Sequence, residues 1–584
     1  MTFGKKRMGY LKQVYFPLLF SLLISNVAAT VVTISDSFVA GIMLSQEAVV
    51  AINVVQPLYR CASFLGAVFS MGLPIVYGRY MGQFEKNSAD RVFGFGIFSA
   101  LVLSVILPVL FHLIEIPYYK FSGLSGIALQ YASEYGFWYK LVVFMTPVQL
   151  LLCVMVPSDG DDILCAAASI AQLVINLLVS VMLCKRIGIA GIGIGSLSGV
   201  FSSIIIYSFH FFKKSNSLRL NISVSVKDAL DLLKYSISDA SDYLLIALFA
   251  VFMNKAISVF FGERFLILAS VIIMITDFQS LFDGIGDALT PVVSIYASEK
   301  NGDGVRAAYN ISLRCTVIIG AILMCAGFVF APAICTYLGI TDPDILRIAI
   351  TGVRIIGAAF IFPGLLYMYT GYLNAIGYIP LSLVILVMMK LVMVVIFSMI
   401  LAPLLGPVGL FVGTGMAPAA TWLITRLYIS IRYGKNNYPY MLQEAGCDNG
   451  IMFDFEVTTE NIGKIESRTD LYLKESGVDK RLIIRTELLI EELFQMVIRN
   501  NDKKTYGQCS IMLTADGVQL ITRDSGKILN IVEDDMQPKG LGDYVIAMYI
   551  SRNKENIATV TTMSNNRYLF NVCFLIKNPD GKPA

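Results

Sequence analysis

From Val14 to Leu44 the chain reads VYFPLLFSLLISNVAATVVTISDSFVAGIML, and Asp36 is the only charged residue in it. At 1.5 Å per residue a helix of this length exceeds the ~30 Å hydrocarbon core of a bilayer. In lipid the backbone has no water to bond, so such a stretch folds as a helix. Asp36 is the exception, because a carboxylate in mid-span costs roughly 2.5–3.5 kcal/mol on insertion scales. Two readings stand for it. It lies near the outer end of the span and reaches interfacial water, or it faces an internal cavity and binds a proton or a cation.

The same pattern recurs along most of the chain. Of 584 residues 56% are hydrophobic and 15% charged, against about 25% charged in soluble proteins. The deficit is confined to roughly the first 430 residues. Apolar runs separated by short polar breaks predict about twelve spans, near 14–42, 48–80, 92–115, 134–156, 163–184, 189–212, 233–261, 265–297, 307–335, 345–373, 379–401 and 405–432. The second and eighth carry more polar residues than a lipid-facing helix tolerates and are expected to line a cavity. Lys5, Lys6, Arg7 and Lys12 precede the first span with no small-residue cleavage site after it, which favours a retained helix over a cleaved signal. The net charge of +3 argues against a nucleic-acid partner. Ten scattered cysteines and two histidines give no metal-ligand spacing, so no metal is expected.

Orientation follows from the positive-inside rule. With a cytoplasmic N-terminus the inner loops collect Lys5, Lys6, Arg7, Arg79, Lys86, Arg91, Lys213, Lys214, Lys300, Arg306 and Arg432 among others, and the outer ones far fewer. An even number of spans then puts the polar tail in the cytoplasm as well.

The chain also repeats itself. Gly188, Gly191 and Gly195 recur 218 residues later as Gly406, Gly409 and Gly413; Pro74 and Pro291 lie 217 apart, Pro147 and Pro363 216 apart. Small residues at such intervals also serve plain helix packing, but three landmarks at nearly one offset indicate six spans duplicated in the same orientation. Parallel repeats of this kind handle substrate between two rocking lobes. The expected architecture is an all-α polytopic membrane protein of two six-helix lobes, 1–220 and 221–440, followed by a soluble α/β domain, 441–584.

The run DSFVAGIMLSQEAVVAINVVQPLYRCASFLGAVFSMGLPIVYGRYMG (Asp36–Gly82) resembles the first helix pair of the MATE (multidrug and toxin extrusion) transporters of the flippase superfamily. GDALTPVVSIYASEKNGD (Gly286–Asp303) and the two glycine ladders resemble the same family, over about residues 10–435. The resemblance implies a protein of the lipid bilayer that exports organic cations or other amphiphiles, driven by H⁺ or Na⁺ with no further cofactor.

Charges inside the spans are the site candidates: Asp36, Arg60, Asp242, Asp277, Asp283 and Lys390, with Asp239, Asp287 and Arg354 beside them. Asp239, near the expected start of the seventh span, reads as an exposed position at a helix N-terminus. Arg60, Arg354 and Lys390 either neutralise the acids across the cavity or meet substrate. The repeat offset places Asn254 opposite Asp36. The lobes are then titratable in one and neutral in the other at the same place, which favours the coupling role for Asp36.

From about Glu444 the pattern becomes that of a soluble α/β domain. IGKIESRTDLYLKESGVD and RLIIRTELLIEELFQMVIRNN predict helices; QCSIMLTADG, VQLITRDSG, NIATVTTMS and YLFNVCFLI predict strands; QPKGLGDYVIAMYIS is a glycine-rich loop opening a helix. This order resembles the GHKL (Bergerat-fold) ATPases, most closely the anti-sigma-factor kinases. The resemblance implies ATP or ADP in the tail, with Asp524 and Gly526 at the adenine, Gly540 and Gly542 in the lid, and Glu492 as the catalytic glutamate. The Mg²⁺-binding asparagine of that family falls on Met496, and a thioether is a poor ligand for a hard cation. Binding without hydrolysis, or a degenerate domain that docks a cytoplasmic regulatory protein, are the readings left open. No GxxxxGK[ST] loop occurs, which disfavours an ATP-powered pump. Competing with the exporter are a lipid-linked saccharide flippase, disfavoured by the excess of intramembrane acids over bases, and a membrane-anchored signalling protein acting through the tail.

Overall fold

The computed structural model describes residues 9–122, 124–213, 216–221, 226–265, 267–337, 340, 342–434, 438–442, 450–501, 504–514, 517–526, 541–564 and 567–577. Its membrane part is built from helices α1 (Tyr10–Met43), α2 (Gln46–Ala67), α3 (Leu73–Gly82), α4 (Lys86–Phe121), α5 (Gly126–Ser158), α6 (Asp162–Ile187), α7 (Ile189–Ser208), α8 (Val226–Phe261), α9 (Ile267–Asp277), α10 (Asp283–Ser298), α11 (Gly302–Tyr337), α12 (Pro343–Ala358), α13 (Ile361–Ile376), α14 (Ile379–Val387), α15 (Met393–Leu405) and α16 (Pro407–Arg432). Among the described residues, eleven helical stretches are long and apolar enough to cross a membrane, twelve when α12 and α13, bent 45° against each other, count as one. Helices α4 and α11 turn rows of large apolar side chains outward, among them Leu101, Val105 and Leu113, and Ile318, Ile322 and Val329. Such faces are stable only against lipid. This is a multi-pass membrane protein.

Three of the expected spans are broken. Residues 48–80 form α2, a turn and α3; residues 265–297 form α9, a short 3₁₀ stretch Phe278–Phe282 and α10; residues 345–373 form α12 and α13. Proline sits in the first turn after two of these breaks, Pro74 in α3 and Pro363 in α13, where its missing N–H costs nothing. At the first break the freed Gly72 N–H donates to Ser236 Oγ at 2.7 Å. Pro147, the partner of Pro363 in the repeat, lies inside the unbroken α5, so the lobes differ there.

Elsewhere the repeat is written in the backbone. Gly188 joins α6 to α7 with φ 64°, ψ −141°, and Gly406 joins α15 to α16 with φ 65°, ψ −153°. A side chain is strained at such angles, so the same corner needs glycine twice. The ladders that follow let each hairpin close: a Cβ on Gly195 would lie 2.0 Å from Ser180 Oγ, and one on Gly413 2.8 Å from the Ser398 nitrogen.

The lobes meet mainly towards the end of the membrane part that carries the tail. There Arg91 pairs with Asp228 at 2.6 Å, Arg79 donates to Tyr235 and to the Ala375 carbonyl, and a Cβ on Gly82 would collide with Ser298.

The tail comprises β1 (Gly450–Glu456), α17 (Thr459–Glu475), α18 (Lys480–Asn500), β2 (Tyr506–Thr514), β3 (Gly517–Asp524), α19 (Leu541–Arg552), β4 (Ile557–Ser564) and β5 (Arg567–Lys577). The expected helices and four strands are all present, and β1 is a fifth. The sheet is antiparallel with order β1-β2-β3-β5-β4. Strand alternation divides it into two faces. Phe453, Phe455, Cys509, Ile511, Leu520, Phe574 and Ile576 join α17–α19 in the tail's core. Asp454, Gln508, Ser510, Met512, Ile521 and Arg523 point the other way, onto the membrane part.

Candidate functional site

Asp36 is 1% exposed, enclosed by the N-terminal lobe. The interfacial reading is therefore wrong for this residue. Tyr135 from α5 donates to its Oδ2 at 2.7 Å, Ser196 from α7 to the same oxygen at 2.6 Å, and Asn176 from α6 to Oδ1 at 3.4 Å. Asn176 also reaches Ser196 at 3.0 Å. Tyr139 packs on Tyr135 with ring centroids 4.5 Å apart and accepts from Gln56. One carboxylate thus ties α1 to three other helices through neutral donors. Charge counting missed these partners; an amide (Asn176) and a hydroxyl (Ser196) inside apolar runs were the available signal.

The other candidates gather in the second cluster. Lys390 forms an ion pair with Asp242 and lies 5.0 Å from the centre of the Tyr367 ring. It is carried by a π-helical turn, Met388–Val392, between α14 and α15; such turns re-aim side chains and occur at functional sites. Arg60 of α2 reaches Asp277 at the end of α9, 4.0 Å away, so this pair crosses between lobes. Asp277 and Lys390 line a cavity with Thr276, Gln279, Tyr367 and Thr414 whose water-sized space is ≈ 40 Å³. Asp283, at the start of α10, is half-buried.

Three residues lie elsewhere than expected. Asn254 is exposed on α8 and belongs to neither cluster. Asp239 is inside α8, which begins more than three turns earlier, and accepts from Asn374 at 2.6 Å, so it is not an exposed N-terminal residue. Arg354 stays on the outside of α12 beside Phe328.

In the tail, Asp524 ends β3, and its Oδ1 accepts the Gly526 N–H at 2.8 Å. Burial pushes its carboxyl up to about 6, and the Gly526 N–H partly offsets the shift. Glu492 lies on α18 with Arg499 3.9 Å away. Met496 is 2% exposed and packed in the tail's core. Gly542 is in the first turn of α19; Gly540 lies outside the described residues.

With that geometry in view, a family model described as MatE matches residues 21–182. A Multidrug export protein MepA of Staphylococcus haemolyticus is 19% identical over 365 residues, 61% of this chain and 79% of that protein; one from Staphylococcus aureus is 18% identical over 378 residues, covering 61% and 80%. A solved outward-facing multidrug resistance MATE family transporter of the MOP superfamily superposes with a TM-score of 0.67 at 19% identity, over 76% of this chain and all of that one. The membrane part has the MATE fold. A MOP superfamily transporter from Pyrococcus furiosus gives a TM-score of 0.66 at 19% identity over 74% and 98% of the two chains. On this fold, Asp36 lies within the segment that matches the MatE model and the Lys390–Asp242 pair within the second lobe.

Proposed function

We propose that the chain is a secondary-active exporter of organic cations or other amphiphiles, driven by entry of H⁺ or Na⁺, with both termini in the cytoplasm. The MATE fold, the MatE match and the relatives named for multidrug export support the transport class; the loop-charge bias supports the orientation.

The observation that carries the coupling is Asp36. As a carboxylate it accepts from Tyr135, Ser196 and Asn176 at once. A proton on Oδ2 forces the Tyr135 or the Ser196 hydroxyl to turn and accept where it donated, and one on Oδ1 faces the Asn176 amide, which can only donate. A sodium ion would displace donors from the oxygen it takes. Loading therefore changes how α5, α6 and α7 are held, which is the differential contact that a rocking lobe requires. In the second cluster the acids Asp242 and Asp277 are held by Lys390 and Arg60, and an organic cation would compete for them. The acids in the spans outnumber the bases, which favours cationic cargo over a pyrophosphate-linked saccharide.

Cells producing the protein are expected to lose ethidium faster than control cells, and a protonophore or removal of sodium should stop this. Equal retention in producing and control cells would refute the exporter. Asp36→Asn keeps the shape and removes the titration; its full activity would refute the coupling role.

For the tail we propose nucleotide binding without turnover: Asp524 and Gly526 match the adenine motif, whereas Met496, packed in the core, offers no Mg²⁺ ligand. Calorimetry of the purified full-length protein with ATP, with and without Mg²⁺, tests this. Absence of heat at millimolar nucleotide, or ADP production in step with binding, would refute it.

A further inference from the structure

The outer face of the tail's sheet is bonded to both lobes at once, and through single cross-strand rows. In the first row Asp454 of β1, Gln508 of β2 and Arg523 of β3 lie opposite one another. Asp454 accepts the backbone N–H groups of Gly9, Tyr10 and Leu11, at 3.0, 2.9 and 3.1 Å, and so caps the free end of α1 in the N-terminal lobe. Gln508 donates to the Tyr296 hydroxyl at 2.9 Å, and Arg523 pairs with Glu299, both in the C-terminal lobe. The second row is Met452, Ser510 and Ile521. The Met452 N–H donates to Asp303 at 3.4 Å and Asn301 donates to Ser510 Oγ at 2.8 Å, again in the C-terminal lobe. Ile521, with Met512 and Cys573, packs against Phe84 of the N-terminal lobe.

Neighbouring strands keep a spacing of ~4.8 Å, fixed by their ladder bonds. A row three strands wide is thus a rigid strut, and here each end stands on a different lobe. The strut crosses the seam where α3 and α10 approach so closely that a Cβ on Gly82 would lie 1.9 Å from Ser298 Oγ. A cleft lined by Gly82, Phe84, Ser298, Glu299, Met512 and Gln519 marks the place where both lobes and the tail meet. The connecting segment is itself held by the C-terminal lobe: Tyr440 donates to Asn310 at 3.0 Å, Tyr369 to the Pro439 carbonyl at 3.1 Å, and Tyr372 to the Tyr440 carbonyl.

We infer that the tail is a clamp: its sheet holds the two lobes together on the tail side, and that side opens only when the sheet lifts from one of them. The clamp rests on reading the membrane part as two lobes that rock. Among the described residues, the N-terminal lobe is held by the Asp454 cap on α1 with Lys12 near it, the Tyr506 ring against Gly9 and an apolar patch; the C-terminal lobe has the buried ion pair and the packed connecting segment, so the N-terminal lobe is the one that is released. The tail then stays with the C-terminal lobe through the cycle.

Amide hydrogen exchange on the full-length protein tests this without any transport assay. Arg523→Glu places two acids face to face. It should speed exchange at 9–11 and 506–512, which report docking, and also at 72–84 and 286–298, which report the seam between lobes. An increase of about a hundredfold or more at both is expected, the scale of losing one partner of a buried ion pair. The charge exchange Arg523→Glu with Glu299→Arg should return both regions to wild-type rates. Unchanged exchange at 480–498 certifies that the tail's own core is folded. Faster exchange at the docking peptides with an unchanged seam would overturn the clamp, and so would no change at either. A chain that passes this test yet exports no ethidium would refute the exporter and leave the clamp standing.

Discussion

Asp36 shows what one residue discloses and what it hides. Its cost in lipid marked it in the sequence, but its partners Tyr135, Asn176 and Ser196 lie 99, 140 and 160 residues along the chain, and only the packing of α5, α6 and α7 brings them together. Asn254 was misplaced for a physical reason. The repeat landmarks drift from 218 to 216 residues, and at 3.6 residues per turn two positions swing a side chain ~200° around its helix. Lys390 and Asp242 test the second cluster. Lys390→Ala leaves a carboxylate half-buried without its cation, so a loss of roughly 3 kcal/mol in thermal stability is expected, while the double change with Asp242→Ala should recover most of it. Equal losses in the single and double variants, measured as Tm in detergent, would show that the pair does not couple. Asp454 carries a pH dependence. Burial pushes its carboxyl up to about 6, above the ordinary 3.8, against the pull of the three amides and of the Lys12 charge. The docked state therefore holds a proton that the undocked state gives up between pH 4 and 6, and docking weakens as pH rises through that window. Hydrogen exchange at 9–11 should be slower at pH 5 than at pH 7 after correction for intrinsic rates, and Asp454→Asn should flatten the difference.

At the scale of elements, hydropathy located the spans but not the breaks within them, because a window that averages over twenty residues cannot register a five-residue turn between α2 and α3 or the 3₁₀ stretch before α10. The tail's strands were legible because alternation survives where one face meets α17–α19 and the other meets the membrane part. The glycine ladders were legible as a repeat, and their local purpose is now visible. Gly188 and Gly406 turn corners with positive φ, whereas Gly195 and Gly409 admit the neighbouring helix, a Cβ on Gly409 lying 2.1 Å from the Leu401 carbonyl oxygen. The two uses predict different penalties. Gly188→Ala has open space around it and should cost only the ~1–3 kcal/mol of a side chain held in a backbone region that is essentially glycine's own. Gly409→Ala must push α15 and α16 apart and should cost more. Tm values that rank the other way would contradict this division.

The whole molecule is a MATE fold with a strut across one end, and its energetics follow from that placement. Arg523 and Glu299 are 5% and 1% exposed in their side chains; removing one partner of such a pair costs on the order of 3–5 kcal/mol. If that energy holds the tail side shut, its loss moves the balance of lobe orientations by about a hundredfold to a few thousandfold, since each ~1.4 kcal/mol is a factor of ten. Transport cannot rise by so much, because an exporter must also return to the closed state and loading is one step among several. The expected outcome is an initial rate of ethidium export a few-fold higher for Arg523→Glu at substrate concentrations where loading limits, converging on the wild-type rate when the dye is saturating. Charge exchange with Glu299→Arg should bring the low-concentration rate back. A uniform fall in rate at all concentrations, with the tail's core intact by hydrogen exchange, would mean that the docked sheet supports transport rather than restraining it. Separating these outcomes needs only the concentration dependence, because a clamp acts on the population of loadable molecules and a scaffold acts on every molecule alike.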